Sequence, residues 1–317
     1  LQRGDKMHIS VPLYHTAPNG FSQFVLAAGD ADLFIDSKFD AERFLQTVHE
    51  NKITHAYIVP TMMVRLLKLP ENVRIKYDVS SLQFMISTGS PCPIDVKLGM
   101  IKWFGPILNE TYAASELGFV SLINAQESLD KPGSVGRVLS GGAIKILGDD
   151  MKELPVGEVG TIYVLPIFGK FSYSNDTGNI AAQHHEGFST VGDVGYVDDD
   201  GYIFISDRKK DMIITGGANV FPAEIEAELI QMPQIIDCAV FGAPDPEFGE
   251  QIVAAVQCQP DVKIDLADVL AFLEPRLAKF KLPRKLDVHA KLPREDSGKV
   301  FKARLRGPYW EDSKRSI

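Results

Sequence analysis

The residues from Thr190 to Glu226 leave this chain few ways to fold. They set a turn, a strand, a charged run and a helix start between two differently composed halves. Val191-Gly192-Asp193 ends a Gly-bounded turn, where a carboxylate can accept hydrogen bonds from two vicinal hydroxyls such as those of a ribose. Asp198-Asp199-Asp200-Gly201 reads as a hairpin turn, because Asp and Gly tolerate the backbone angles such turns require. Tyr202–Ile205 reads as a strand by its aromatic and β-branched content. Ser206–Asp211 carries five charges in six residues and reads as a solvated connector. Thr215-Gly216-Gly217 lets backbone approach a ligand closely. Pro222, Glu224 and Glu226 then open a helix, the proline in its first turn and the carboxylates near its positive end. The stretch reads as a hinge with a nucleotide beside it.

Upstream, the pattern is α/β alternation. Residues 9–16 begin as a buried strand and stop at His15 and Thr16, and a lone histidine in such a place is more often structural than functional. Asp40–Glu50 is an amphipathic helix, Thr54–Pro60 a buried strand, Thr61–Lys68 a helix and Leu82–Ile86 a strand. That last strand discharges into Ser87-Thr88-Gly89-Ser90-Pro91, a small-residue loop at a strand's carboxyl end, where doubly wound folds hold ligands. Pro106–Glu116 taken alone is a strand ending in a helix cap. From Gly118 to Ile205 short β runs alternate with Gly-rich turns, as suits a small β-barrel. After Arg208 a compact α/β module follows: helix Pro222–Met232, strands Ile236–Gly242 and Ile252–Gln257, a helical stretch Leu266–Phe280 interrupted by Pro275, and strand Leu286–Ala290.

Charge excludes one class of partner. A formal net charge of −9 disfavours a general nucleic-acid binder. From Arg276 to Arg315, however, thirteen Lys/Arg stand against five Asp/Glu, either a solvated basic face or a landing surface for a phosphate-rich ligand. No apolar run reaches membrane-spanning length. Cys92, Cys238 and Cys258 are scattered without Cys-x-x-Cys spacing, which points to a reducing, cytoplasmic setting.

Gly192-Asp193, the acidic turn, Asp207-Arg208-Lys209-Lys210-Asp211, Gly216-Gly217, Pro222-Ala-Glu-Ile-Glu226 and the closing run Leu292–Leu305 fall in a familiar order. The chain resembles the acyl- and aryl-CoA synthetases of the adenylate-forming superfamily, which also holds firefly luciferase and peptide-synthetase adenylation domains. The resemblance implies a mixed α/β fold: part of the large adenylation domain, with an α/β sheet subdomain at 1–117 and a small β-barrel subdomain at 118–206. A hinge at 207–210 and a small mobile C-terminal α/β domain at 211–317 follow. It implies that Tyr112 stacks on adenine, that Gly89 and Ser90 border the nucleotide, and that Asp193 and Arg208 hold the ribose. Thr88 and Ser90 replace smaller residues usual in that loop. Ser115 takes the place of a phosphate-contacting Thr, Ala113 that of a Gly, and Glu116 helps hold Mg²⁺. His15 borders the acyl pocket or its gate, Gly216 and Gly217 the CoA path, Asp207 and Lys210 the pivot. Lys299 is implied as the catalytic lysine, a long cation able to meet a carboxylate and an α-phosphate together.

The implied reaction is that of an acid–CoA ligase acting on a fatty or similar hydrophobic carboxylic acid. ATP adenylates the carboxylate, CoA thiolate displaces AMP, and AMP and pyrophosphate are released. The family's Ser/Thr/Gly-rich phosphate loop ending in Pro-Lys-Gly is not found in these residues. The chain therefore reads as the C-terminal part of a synthetase that is inactive by itself. An adenylation domain serving a carrier protein and a non-catalytic nucleotide-binding fragment remain open, as do a homodimer and the identity of the acid.

Overall fold

Short apolar runs separated by amphipathic helices become a parallel sheet in the first part of the chain. The computed structural model describes residues 2–167, 184–294 and 300–311, in two units, Leu1–Ile205 and Ser206–Ile317. Strands Lys6–Ile9 (β1), Asp32–Ile35 (β2), His55–Ile58 (β3), Phe84–Ser87 (β4) and Leu108–Glu110 (β5) pair in the order β2-β1-β3-β4-β5. Every pairing in this sheet is parallel. Between them lie helices Thr16–Ala28 (α1), Ala41–Asn51 (α2), Pro60–Leu67 (α3), Glu71–Arg74 (α4) and Ile94–Phe104 (α5).

Local chemistry explains where these elements start and stop. The Asp40 carboxylate accepts from Arg43 N at 2.9 Å and caps α2. Phe44, Leu45 and Val48 bury the inner face of that helix at spacings of one and three or four residues. Each such side chain contributes about 1.5–3 kcal/mol on burial. The expected strand Thr54–Pro60 is shorter, because Pro60 opens α3 instead. Its missing N–H costs nothing in a helix's first turn.

The remainder of the first unit is antiparallel. Ala113–Ala114 (β6) pairs with Gly118–Phe119 (β7), and Ser121–Leu122 (β8) with Arg137–Val138 (β9), with helix Ala125–Asp130 (α6) between the latter two. Strands Ala143–Leu147 (β10), Gly160–Leu165 (β11), His184–His185 (β12), Phe188–Ser189 (β13), Asp193–Val197 (β14) and Ile203–Arg208 (β15) form one sheet. Its order is β12-β13-β11-β14-β15, with β10 also on β11. Tyr112 lies in the core of this region with Leu117, Val120, Val135, Ile146, Ile162, Val164 and Ile203.

The second unit holds strands Ile213–Thr215 (β16), Ala218–Val220 (β17), Ile235–Asp245 (β18), Gly249–Cys258 (β19) and Lys285–His289 (β20). Their order is β17-β16-β19-β18, with β20 parallel to β19. Helices Pro222–Leu229 (α7), Leu266–Leu273 (α8) and Lys302–Trp310 (α9) accompany them. Alternation along β18 gives two cores: Val240 faces Ile225, Leu229 and Val269, while Phe241 faces Leu292 and Leu305. Three expectations shift here. The strands expected at 236–242 and 252–257 extend into one long hairpin. Asp245 Oδ1 accepts from Glu247 N and Phe248 N at 3.0 and 2.8 Å, and so tightens the turn. The stretch Leu266–Phe280 is helical only to Leu273; Glu274 keeps helical angles, φ −51° and ψ −42°, but Pro275 has no N–H to donate to the carbonyl four residues back, and the helix goes no further. The Ser206–Asp211 run is not solvated throughout: Asp207 is buried, accepting from Ala223 N at 2.9 Å near the start of α7.

Candidate active site

In a doubly wound parallel sheet, ligands gather beyond the carboxyl ends of the strands, near the point where strand order reverses. Here that reversal lies between β1 and β3. The loop after β1 carries His15, the loop after β4 carries Gly89 and Ser90, and the chain leaving β5 carries Tyr112. Four residues singled out from sequence thus lie on loops along one sheet edge.

The β6–β7 hairpin presents Ser115 and Glu116 at its tip. Ser115 is exposed, and its hydroxyl meets that of Thr16, the first residue of α1, at 2.7 Å. His15 precedes Thr16 as the N-terminal flanking residue of that helix. Its ring lies 4.4 Å from that of Tyr14, and its Nε2 is enclosed with no hydrogen-bond partner among the described residues. A buried ring nitrogen without a partner is costly to keep unless something else binds it.

Tyr112 and Asp193 are 81 positions apart in the sequence, yet the Tyr112 hydroxyl donates to Asp193 Oδ2 at 2.6 Å. Both are buried, at 8% and 7% exposure, so the bond forms in a medium that screens charge poorly. The turn before Asp193 is tied by Gly192 N donating to Thr190 Oγ1 at 3.0 Å.

The other expected residues belong to the second unit. Arg208 ends β15, and the exposed Lys210 lies in a single 3-10 turn, Lys209–Asp211. Gly216 and Gly217 form the β16–β17 turn with φ of 58° and 81°, angles that L side chains adopt with strain. Gly216 N donates to Phe248 O at 2.8 Å. Lys299 lies outside the described residues. Nearby in sequence, the Lys302 ammonium reaches Glu226 Oε1 at 2.7 Å. Burial alone would pull Lys302 down, but the carboxylates of Glu226, Asp207 and Asp211 raise it above the usual lysine value.

Sequence reading missed three participants. Thr16 has no motif of its own; its adjacency to His15 was the available signal. Lys97 and Glu110 form a buried ion pair between α5 and β5. The signal for Lys97 was a charge on the same helical face as Val96, Met100 and Ile101, all buried.

Known proteins resemble this chain over nearly its whole length. The AMP-binding enzyme family matches residues 1–165, and the AMP-binding enzyme C-terminal domain matches 224–299. An indoleacetate–CoA ligase of Aromatoleum aromaticum is 33% identical over 96% of this chain and 60% of its own length. The long-chain-fatty-acid–CoA ligase FadD13 of Mycobacterium tuberculosis is 31% identical over 96% of this chain and 60% of its own. Among solved structures, ATP-bound MatB from Rhodopseudomonas palustris superposes with a TM-score of 0.84 at 30% identity, covering 99% of this chain and 62% of that one. The o-succinylbenzoate CoA synthetase of Bacillus subtilis, in complex with its acyl-adenylate, gives 0.83 at 26%, covering 100% and 63%. The chain thus spans about 60% of the length of the curated relatives it matches.

Proposed function

This chain belongs to the AMP-binding enzyme family, and on that premise we propose that it is part of an acid–CoA ligase that adenylates a hydrophobic carboxylic acid with ATP and passes the acyl group to CoA. The observation that carries the reading is the buried Tyr112–Asp193 hydrogen bond. Two residues read from the sequence as adenine and ribose contacts hydrogen-bond to each other where the chain leaves β5.

In this reading the Tyr112 ring packs on adenine, beside Gly89 and Ser90, while the Asp193 carboxylate accepts from the ribose hydroxyls and Arg208 assists. Ser115, held by Thr16, donates to the phosphates. His15 lies at the acyl side, where its unpartnered Nε2 has a group to meet. Glu116 holds Mg²⁺. Among the described residues no group of three His, Cys, Asp or Glu could hold a metal by itself. Mg²⁺ commonly takes one or two carboxylates and completes its shell with phosphate and water. Bound there, Mg²⁺ would offset the charge of the polyphosphate.

The first half-reaction brings a carboxylate against a polyphosphate, so positive charge must be supplied as the new bond forms. Lys299 bridges the carboxylate and the α-phosphate. The second half needs that lysine withdrawn and a thiol admitted. Rotation of the second unit about Asp207–Lys210 exchanges Lys299 for the Gly216–Gly217 turn. Residues 1–117, 118–206 and 211–317 then act as an α/β subdomain, a β subdomain and a mobile domain. A cytoplasmic setting keeps Cys92, Cys238 and Cys258 reduced, and no described helix is long and apolar enough to cross a membrane.

Titration of AMP into the 317-residue chain by calorimetry tests the proposal. Asp193→Ala should weaken binding by about 1.5–3 kcal/mol, the contribution of hydrogen bonds to a charged group. Unchanged affinity in that variant would refute the assignment.

A further inference from the structure

Lys97 and Glu110 are 4% and 5% exposed and form an ion pair inside the first unit. Taking two ions out of water costs more than their attraction returns unless further hydrogen bonds satisfy them. A well-packed apolar pair of similar size would often serve stability as well or better. Burial indeed pushes the Glu110 carboxyl up, against the pull of the Lys97 ammonium. The pair therefore calls for a reason other than stability.

Its surroundings supply one. The Lys97 ammonium also donates to Ser134 O at 3.0 Å. Ser134 is itself fixed, its hydroxyl donating to Ile203 O on β15 and accepting from Gly136 N, each at 2.9 Å. On the other side, Glu110 ends β5, and Thr111 follows at once. Thr111 N donates to Ser87 O on β4 at 2.9 Å, and its hydroxyl to Ser121 O on β8 at 2.6 Å. The next residue is Tyr112, whose hydroxyl holds Asp193. One ammonium thus spans the exit of β5, which delivers Tyr112, and the 133–136 turn, which is bonded to the sheet that delivers Asp193. Apolar packing tolerates small slides between these parts; an ammonium that must reach two acceptors does not.

We infer that Lys97 and Glu110 are a positioning pair that sets the spacing between Tyr112 and Asp193, and through it the fit of the nucleotide. The inference rests on the nucleotide-binding role proposed above.

Single substitutions strand one buried charge and threaten folding, so the double variant Lys97→Met/Glu110→Met carries the test. Its melting temperature should stay near that of the parent, while calorimetry with AMP should show affinity about tenfold weaker, the scale of coupling within one polar network. Lys97→Gln/Glu110→Gln, which can keep the hydrogen bonds without the charges, should restore affinity to within about threefold of the parent, a residue of that same coupling. Parent-like affinity in the Met/Met chain overturns the inference, and so does a Met/Met chain that fails to fold, since the pair would then serve folding. A Gln/Gln chain no better than Met/Met also overturns it. A parent chain that does not bind AMP overturns the proposed function and this inference with it.

Discussion

Removing one oxygen from Tyr112 weighs the contact at the centre of the site. Tyr112→Phe keeps the ring, its place among Leu117, Val120 and Ile203, and nearly all of its volume, so no cavity is made. What is lost is a 2.6 Å hydrogen bond to a carboxylate between two buried groups. Hydrogen bonds to charged groups contribute about 1.5–3 kcal/mol, against about 1 for neutral ones. For a body of roughly 200 residues each kcal/mol moves the midpoint by about 2–4 °C, so the first unit should melt about 3–12 °C lower. Scanning calorimetry of parent and variant measures this directly. The ring that would stack on adenine remains, so AMP affinity should fall less than in Asp193→Ala. A midpoint within about 1 °C of the parent, below the smallest shift expected on that scale, would show that the bond contributes nothing net. The pairing of Tyr112 with Asp193 would then be incidental to the site.

Gly136 has φ of +93°, and a Cβ there would lie 2.0 Å from Leu122 O, whereas at Gly141, φ +90°, it would meet nothing within 4 Å. Gly141→Ala should therefore cost about 1 kcal/mol of backbone strain, and Gly136→Ala about 1–3 kcal/mol more; equal urea midpoints would contradict this. His8 is buried, with Nε2 3.0 Å from Asp36 Oδ2 and Arg43 on the far side of that carboxylate. Burial, opposed by Asp36, lowers its pKa from 6.5. The neutral ring is thus the folded form: its contribution is complete above pH 6.5 and is lost as pH falls below that value. Urea unfolding between pH 7 and pH 5 should show His8→Gln losing less stability than the parent, by up to ~1.4 kcal/mol per pH unit; parallel losses would refute it. In a form of the protein competent for both half-reactions, Lys299→Ala should slow adenylation by about 10²–10³ and spare thioester formation from pre-made acyl-adenylate. Equal losses in both halves would make Lys299 structural.

How much of this was legible in the sequence depends on the distance over which each decision is made. Helix α2 was readable because cap, apolar face and end all lie within a dozen residues. Gly89 and Ser90 were placed at a strand's carboxyl end by α/β alternation, Tyr112 was assigned to the nucleotide only through the family motifs, and its hydrogen bond to Asp193, 81 positions on, was not read from the sequence. Lys97 and Glu110 belong to no such motif, and local periodicity cannot say that two charges on different elements will be buried against each other. Asp207 shows the same limit from the other side. Five charges in six residues argue for solvent, yet the amide of Ala223, sixteen positions on, engages that carboxylate and buries it. Glu226, on the same helix, is likewise engaged by Val240 N at 2.6 Å and by the Lys302 ammonium. These bonds divide the charged run physically. Asp207 is fixed to α7, while Lys209 and Lys210 are exposed in a single 3-10 turn. Asp207 precedes Lys210 and Ala223 follows it, so a rotation centred on Lys210 would break this buried charge-assisted bond on every cycle, whereas one that begins before Asp207 keeps it. For Asp207 to turn with the second unit, the proposed pivot must lie at the Asp207 end of the 207–210 segment, and a pivot at Lys210 requires the bond to Ala223 N to be exchanged on each turn.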